Sequence, residues 1–464
     1  MLGRSWAAPA AAILLLVVGC SKQGAGTQTA AAPGQSPAKV RSGLAPIVDV
    51  GGPVTEEDAK TFGADLEKAA REGGPAVNRL INWDALVDRS TGGLGVAEKL
   101  RTSFKSGILQ SVGKPSSLGA KLAENVANGG SYALLHVHEV DGRRRAMFRM
   151  IDPQGVVGYQ DYDLARGADG KVRAADIFVV TSGESLAATF RRVFIPLAAH
   201  ESRGLLERLT GAESDLVKNL SKIEAMTNAL NGGQYSRALD AFDQLPPALK
   251  KEKAWEILRI QAAQKLGDDA KYAAAIDDFR ANHPDDPAAD LQSIDSYIIK
   301  KQYEKAIEGI DRLDKAVGGD PYLDTMRGNV YLISEKPEEA RKAGERAIAE
   351  EADLVQGYAV VVAATLRTKE YDATLDALRK MRKQFGRVNI DAFSGMQGYD
   401  EFAKSPQFEE FRKEAGSDSK PGGSADSGSK PADTSPAARG KGPGPRRPPR
   451  LSRPPMGGRR RPGK

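Results

Sequence analysis

The stretch from 228 to 245, "NALNGGQYSRALDAFDQL", decides the fold, because four later stretches repeat its layout. They are "AQKLGDDAKYAAAIDDF" (263–279), "YIIKKQYEKAIEGIDRL" (297–313), "YLISEKPEEARKAGERAI" (331–348) and "TLRTKEYDATLDALRKM" (365–381). Aligned by their turns, they place Gly233, Gly267, Lys301, Glu335 and Lys369 at intervals of 34 residues with no insertion. Five residues beyond each turn stand Ala238, Tyr272, Ala306, Ala340 and Thr374. Phe242, Ile276, Ile310, Gly344 and Leu378 come next, then Leu245, Phe279, Leu313, Ala347 and Met381. Amphipathic helices of an irregular bundle would drift out of such a register. A period held through five units instead marks stacked supersecondary units, each hiding its apolar face against its neighbours.

The pattern resembles the tetratricopeptide repeat, a helix hairpin whose small residue lets two helices approach while larger apolar residues fill the gap to the next hairpin. Tyr235, Tyr303 and Tyr371 sit where that family often has an aromatic at the turn, and Pro284 where it has a helix-breaking proline. Two positions depart from it: Tyr272 replaces a small residue and Gly344 a large one, so loose packing or local rearrangement is expected around the second repeat. The resemblance implies a concave groove that grips a protein or peptide. No pattern of Asn and Lys for a two-carboxylate clamp is visible. After the last repeat, Phe393, Phe402, Phe408 and Phe411 leave the 34-residue frame and are expected to cap the stack.

Upstream the period changes. From about 55 to 125 the chain reads helical, with Thr55 as a cap for "EEDAKTFGADLEKAARE". Then it alternates: "YALLHVHEV", "RRRAMFRMI", "VVGYQDYDL" and "VRAADIFVV" are separated by short turns such as Asp141-Gly142. Those signals predict a four-strand antiparallel meander. "ESLAATFRRVFIPLAAH" returns to helix.

Helices on a curved meander resemble the nuclear transport factor two-like, helix-in-cone fold over roughly 55–205, through element order and the segments "NRLINWDALVDR" and "DGKVRAADIFV". That resemblance implies a pocket between helices and sheet, used by some members for chemistry with an Asp and His dyad and by others only to bind or dimerise. His136 and His138 lie two apart on a strand and so project from one face, as a metal or proton-shuttling pair would. A metal site needs a third ligand, and the neighbouring Glu139 points the other way. The pair therefore reads as an exposed polar face opposite Ala133, Leu135 and Val137. Asp84 beside Trp83 fits a turn or cap, Asp161 and Asp163 alternate along the third strand, and His200 and His283 fall near helix ends. No GxSxG, P-loop, HExxH or GxGxxG occurs. The expectation is no catalytic, cofactor or metal site.

The single cysteine gives an address. Arg4, the apolar run Ala10–Val18 and Gly19 before Cys20 have the layout of a signal peptide too short to span a bilayer. Val17-Val18-Gly19-Cys20 resembles a bacterial lipobox, which implies lipid on the Cys20 sulfur, and Ser21 then implies the outer membrane. Residues 20–54, rich in Ala, Gly, Gln, Ser, Thr and Pro, read as a disordered tether. The net charge of +6 comes from the far end. Arg439–Lys464 holds ten Lys or Arg and no acid, leaving a net −4 on the rest. Residues 416–464 read as a disordered Pro/Gly/Arg-rich tail, either a solubilising segment with no fixed partner or a contact for an anionic envelope polymer. Without aromatics among its arginines it offers nucleic acid no stacking platform.

The expected layout is thus a signal peptide (1–19), a tether (20–54), an α+β cone-like domain (55–205), an all-α repeat solenoid with its cap (206–415) and a basic tail (416–464). The expected function is that of a membrane-anchored envelope lipoprotein acting as a non-catalytic protein–protein scaffold. The alternative is a small-molecule-binding or hydrolytic cone-like domain whose client the repeats recruit.

Overall fold

The structure is a computed structural model and describes residues 43–202 and 204–417. The expected signal peptide, Cys20, most of the expected tether and all of the basic tail beyond Ser417 lie outside the described residues. Helix α1 (Glu56–Glu72) starts at a reciprocal cap: Thr55 Oγ1 accepts from the Asp58 N–H, and Asp58 Oδ2 accepts from the Thr55 N–H at 2.8 Å. Its Ala59, Phe62, Leu66, Ala69 and Ala70 form one buried stripe. Helices α2 (Gly74–Arg79), α3 (Trp83–Thr91), α4 (Glu98–Val112) and α5 (Leu118–Ala127) follow.

The meander then runs β1 (Ser131–Val140), β2 (Arg143–Ile151), β3 (Val157–Arg166) and β4 (Val172–Val179). Asp141 and Gly142 both adopt positive φ, 51° and 75°, the geometry a two-residue hairpin with matching twist demands. The sheet has five strands rather than four, in the order β1-β2-β3-β4-β5. After a 3-10 turn (Val180–Ser182), Glu184 and Ser185 pair with Val179 and Phe178 as β5. Two residues are too short a strand to carry an alternation signal. Helix α6 (Leu186–Glu201) closes this part.

One face of the sheet, with Ala146, Phe148, Tyr162 and Ile177, packs against Phe62, Leu86 and Phe194 of the helices. The other face, with Met147, Ile151, Val157 and Tyr159, packs against the repeats. Coverage on both sides buries β3 from Val157 to Ala165, although its sequence is rich in polar residues.

The chain passes through α7 (Leu205–Arg208), α8 (Gly211–Lys218) and five helix hairpins. The first helices are α9 (Leu220–Asn231), α12 (Lys253–Leu266), α14 (Pro287–Ile299), α16 (Pro321–Ile333) and α18 (Val355–Arg367). Their partners are α10 (Tyr235–Asp243), α13 (Asp269–Asn282), α15 (Tyr303–Val317), α17 (Pro337–Glu350) and α19 (Tyr371–Phe385), with a short α11 (Pro247–Lys250) between the first two hairpins. The five positions that set the 34-residue phase all take left-handed backbone: φ is 70° at Gly233, 74° at Gly267, 56° at Lys301 and 59° at both Glu335 and Lys369. The small position of each hairpin is buried. Tyr272 is buried too, correcting the expected looseness: its ring lies in an apolar cluster and its hydroxyl donates to Asp295 at 3.1 Å. At Gly344 a missing side chain lets helices meet, since a β-carbon there would stand 2.9 Å from the Gly357 carbonyl oxygen. Phe393, Phe402, Phe408 and Phe411 pack on Leu366, Leu375 and Leu378, closing the stack through a 3-10 turn (Ile390–Phe393), α20 (Tyr399–Phe402) and α21 (Pro406–Ser417).

Candidate functional site

The feature that organises the molecule is the joint between the second sheet face and the heads of the repeat helices. Asp286 and Asp320 are in phase, 34 residues apart, and each caps a first helix: the Ala288 N–H donates to Asp286 at 2.9 Å and the Tyr322 N–H to Asp320 at 2.9 Å. Each cap also reaches the sheet side. Asp286 pairs with Lys253, whose Nζ donates to the Gly183 carbonyl at 3.0 Å. Gly183 has φ 62°, and a β-carbon on it would lie 2.8 Å from Asp286, so the turn beside β5 requires glycine.

Asp320 receives Arg149 Nη1 at 2.6 Å and the Tyr159 hydroxyl at 2.7 Å, and Arg149 Nη1 also donates to Glu351 at 2.8 Å. Arg149 is 1 % exposed. Burial pushes the Asp320 carboxyl up, opposed chiefly by the Arg149 charge. The Tyr159 hydroxyl is pushed well above the usual phenol value by burial and by Asp320. Tyr322 donates to the Gly155 carbonyl, and Gln292 Nε2 to that of Thr181 at 3.5 Å. The heads of α12, α14 and α16 are therefore occupied by this chain's own sheet side. The far ends of the first helices are not covered in this way: Leu266, ending α12, and Ile299, ending α14, are 38 % and 43 % exposed.

His136 and His138 do share a face, with ring centroids 5.2 Å apart, but that face is turned toward the repeats and is only half exposed. A β-bulge between Leu134 and His136 adds Leu135 to the same side, and Ala133 pairs with Arg149, so neither lies opposite the histidines as the alternation predicted. Val137 does. The His136 ring lies against Gly318 and takes up a proton less readily than usual, first because of burial and then because of His138. His138 Nε2 is 3.3 Å from Asp161, which also accepts from Arg145 at 3.2 Å. Asp163 accepts from Arg143 Nε at 2.7 Å, and burial pushes its carboxyl up. Asp161 and Asp163 are thus buried ion-pair acceptors, which alternation in one strand does not reveal. Among the described residues no three His, Cys, Asp or Glu side chains gather as a metal site.

Asp84 lies in the first turn of α3, where Asn82 caps, and pairs with Lys105 at 2.9 Å. His200 is exposed in the last turn of α6. His283 ends α13 and sits 2.7 Å from Glu256.

Glu256 belongs to a ladder that the reading of apolar positions missed. Glu256, Asp290 and Asp324 recur at 34 residues on successive first helices, all buried. Glu256 takes Asn282 and His283, Asp290 takes Arg280 at 2.7 Å and Arg312 at 2.8 Å, and Asp324 takes Arg346 at 2.7 and 3.0 Å. Tyr358 holds the next in-phase place. The signal was a carboxylate returning in the apolar segments "AWEILRI", "PAADLQSI" and "PYLDTMRG".

The hairpins form a helical repeat of 34-residue period joined to a five-strand antiparallel sheet. Solved structures similar to this chain include a MamA double mutant, at 16% identity and TM-score 0.32, covering 36% of this chain and 94% of that one. A MamA chain from Desulfovibrio magneticus RS-1 gives the same four values, and a MamA point mutant gives 14% identity, TM-score 0.30, and coverage of 37% and 99%. No protein-family profile matches the chain. No curated protein matches it.

Proposed function

We propose that this protein is a non-catalytic scaffold that holds protein partners on its repeat solenoid and is tied to a bacterial envelope membrane through lipid on Cys20. The observation that carries the scaffold reading is the phased left-handed turn, which keeps five hairpins in one register and presents their first helices side by side. The cone-like resemblance of the first part fits an accessory unit, joined to the repeats through Arg149, Asp320 and Asp286. The anchor is proposed at Cys20 because Val17-Val18-Gly19-Cys20 resembles a lipobox behind an apolar run of signal-peptide length; among the described residues no helix is long and apolar enough to cross a membrane. The outer membrane is the proposed address, from Ser21, and the basic tail is the proposed contact for anionic envelope polymers.

The test places a photo-crosslinking amino acid at Ile299 or Leu266 of the full chain, with Leu109 on α4, similarly exposed, as the control. Discrete adducts from the first two positions and none from the third support the reading. Equal yields from all three defeat it. Radiolabelled palmitate entering the wild type and not Cys20→Ser supports the anchor; no label in the wild type removes it.

A further inference from the structure

A cleft of about 500 Å³ lies between α1, the end of α2 and the β3–β4 turn, well away from the joint. Its floor is apolar: Phe62, Leu80 and Val172. Its walls carry four cations, Arg79, Arg166, Lys171 and Arg173, against two carboxylates, Asp58 and Asp65. The four cations are not equivalent. Arg166 is fixed by Asp58 and by the Gly170 carbonyl at 2.9 Å. Arg173 is held bidentate by Asp169, at 2.7 and 3.1 Å, and those bonds bring the Asp169 carboxyl down to about 2. Arg79 and Lys171 form no salt bridge among the described residues, and both are exposed at the cleft. Two of the cations are therefore neutralised within the protein, while Arg79 and Lys171 line the same space with no ion pair of their own, facing the single further carboxylate of Asp65, and Lys171 also feels the Asp169 charge.

We infer that this cleft binds a small organic anion, a carboxylate, sulfonate or phosphate carried on an apolar ring or chain. The volume falls within the range of small-molecule sites, which pair an apolar lining with a few placed polar groups. Here the ring or chain covers Phe62, Leu80 and Val172, and the anionic end meets Arg79 and Lys171. Arg79 offers a planar fork and Lys171 a compact charge, so a two- or three-oxygen anion satisfies both. Asp65 at the same cleft disfavours ligands of high negative charge and selects a single anionic group. The inference does not depend on the scaffold reading, because the cleft lies on the α+β part and is lined by no residue of the repeats.

The probe is 2-naphthoate, titrated into the full chain by ligand-observed NMR at low salt, with uncharged 2-naphthamide alongside. The expected result is saturable naphthoate binding that weakens roughly tenfold or more in Arg79→Gln/Lys171→Gln and as salt rises, but not in Lys68→Gln, an exposed cation elsewhere on α1. Both substituted side chains are exposed, so the variant keeps its fold, checked by an unchanged thermal melt. Absence of naphthoate binding, equal binding of naphthamide, or undiminished binding by the double variant would each overturn the inference.

Discussion

Arg149 Nη1 stands 2.6 Å from Asp320 Oδ1, across 171 residues of sequence, and this contact joins the sheet to the repeats. Asp320 has three tasks at once: it caps α16, accepts the Tyr159 hydroxyl and faces the Arg149 charge. The guanidinium is 1 % exposed, and its other acceptor, Glu351, comes from the turn that leads into α18. A charge so placed persists only with its partners, because an unpaired buried ion costs several kcal/mol.

Arg149→Ala therefore strands Asp320 and Glu351 beside an apolar cluster. The expected loss is about 3–5 kcal/mol of unfolding free energy, read as a lower urea midpoint at unchanged slope. Arg149→Lys retains the charge but not the fork, and should fall between the two. A loss under about 1 kcal/mol in Arg149→Ala would show that the Arg149 ion pairs are not what holds the joint.

His136 gives the joint a dependence on pH. Its folded value lies below its unfolded one, because burial and the neighbouring His138 disfavour the charged ring, with Asp161 acting the other way. The contribution is complete above the unfolded value of about 6.5 and is lost as pH falls through the folded value. Urea midpoints should thus drop between pH 7.5 and pH 5. His136→Gln, neutral throughout, should drop less over the same interval. Asp163, pushed up by burial, works in the opposite sense at lower pH, so the comparison belongs above pH 5.

What the sequence disclosed and what it withheld follow from how each residue is fixed. The hairpins were legible because Ala306, Ile310 and Leu313 meet partners in their own or the next repeat, at constant separation. The meander was legible because Asp141-Gly142 writes its turn locally. The docking of sheet on repeats was not, since Arg149, Asp320 and Glu351 are unremarkable until a distant fold brings them together. The same holds for Asp161 and Asp163: alternation assigned faces correctly beyond the bulge but could not say that the polar face would be covered. The bulge itself, one inserted residue at Leu135, leaves no composition signal.

The phased turns make a prediction of the opposite sign to most substitutions. Lys301 holds φ 56° with no glycine, and a β-carbon in left-handed backbone costs on the order of 1 kcal/mol. Lys301→Gly should raise stability by roughly 0.5–1 kcal/mol, after the greater chain entropy of glycine is set against the relieved strain. Gly267→Ala, at φ 74° in the preceding hairpin, should lower it by a similar amount. Both are read from urea midpoints. Lys301→Gly lowering the midpoint would mean that the turn is not the strained element it is taken to be.

Gly344 tests whether the stack depends on close helix approach at the one in-phase place where bulk was expected. A β-carbon there would lie 2.8 Å from Val361 Cγ2 and 2.9 Å from the Gly357 carbonyl oxygen. The first contact is a side chain that can turn, but the second is backbone of α18, so the helix itself must shift. Gly344→Ala should cost about 1–3 kcal/mol, as overpacked cores do, and Gly344→Val more. Because α18 also carries the contacts of Leu366 with the cap, the valine variant should become sensitive to proteolysis in residues 386–405 first. An alanine variant with an unchanged urea midpoint would show that α17 and α18 can separate freely, and the tight seam would then contribute nothing to the stability of the repeat.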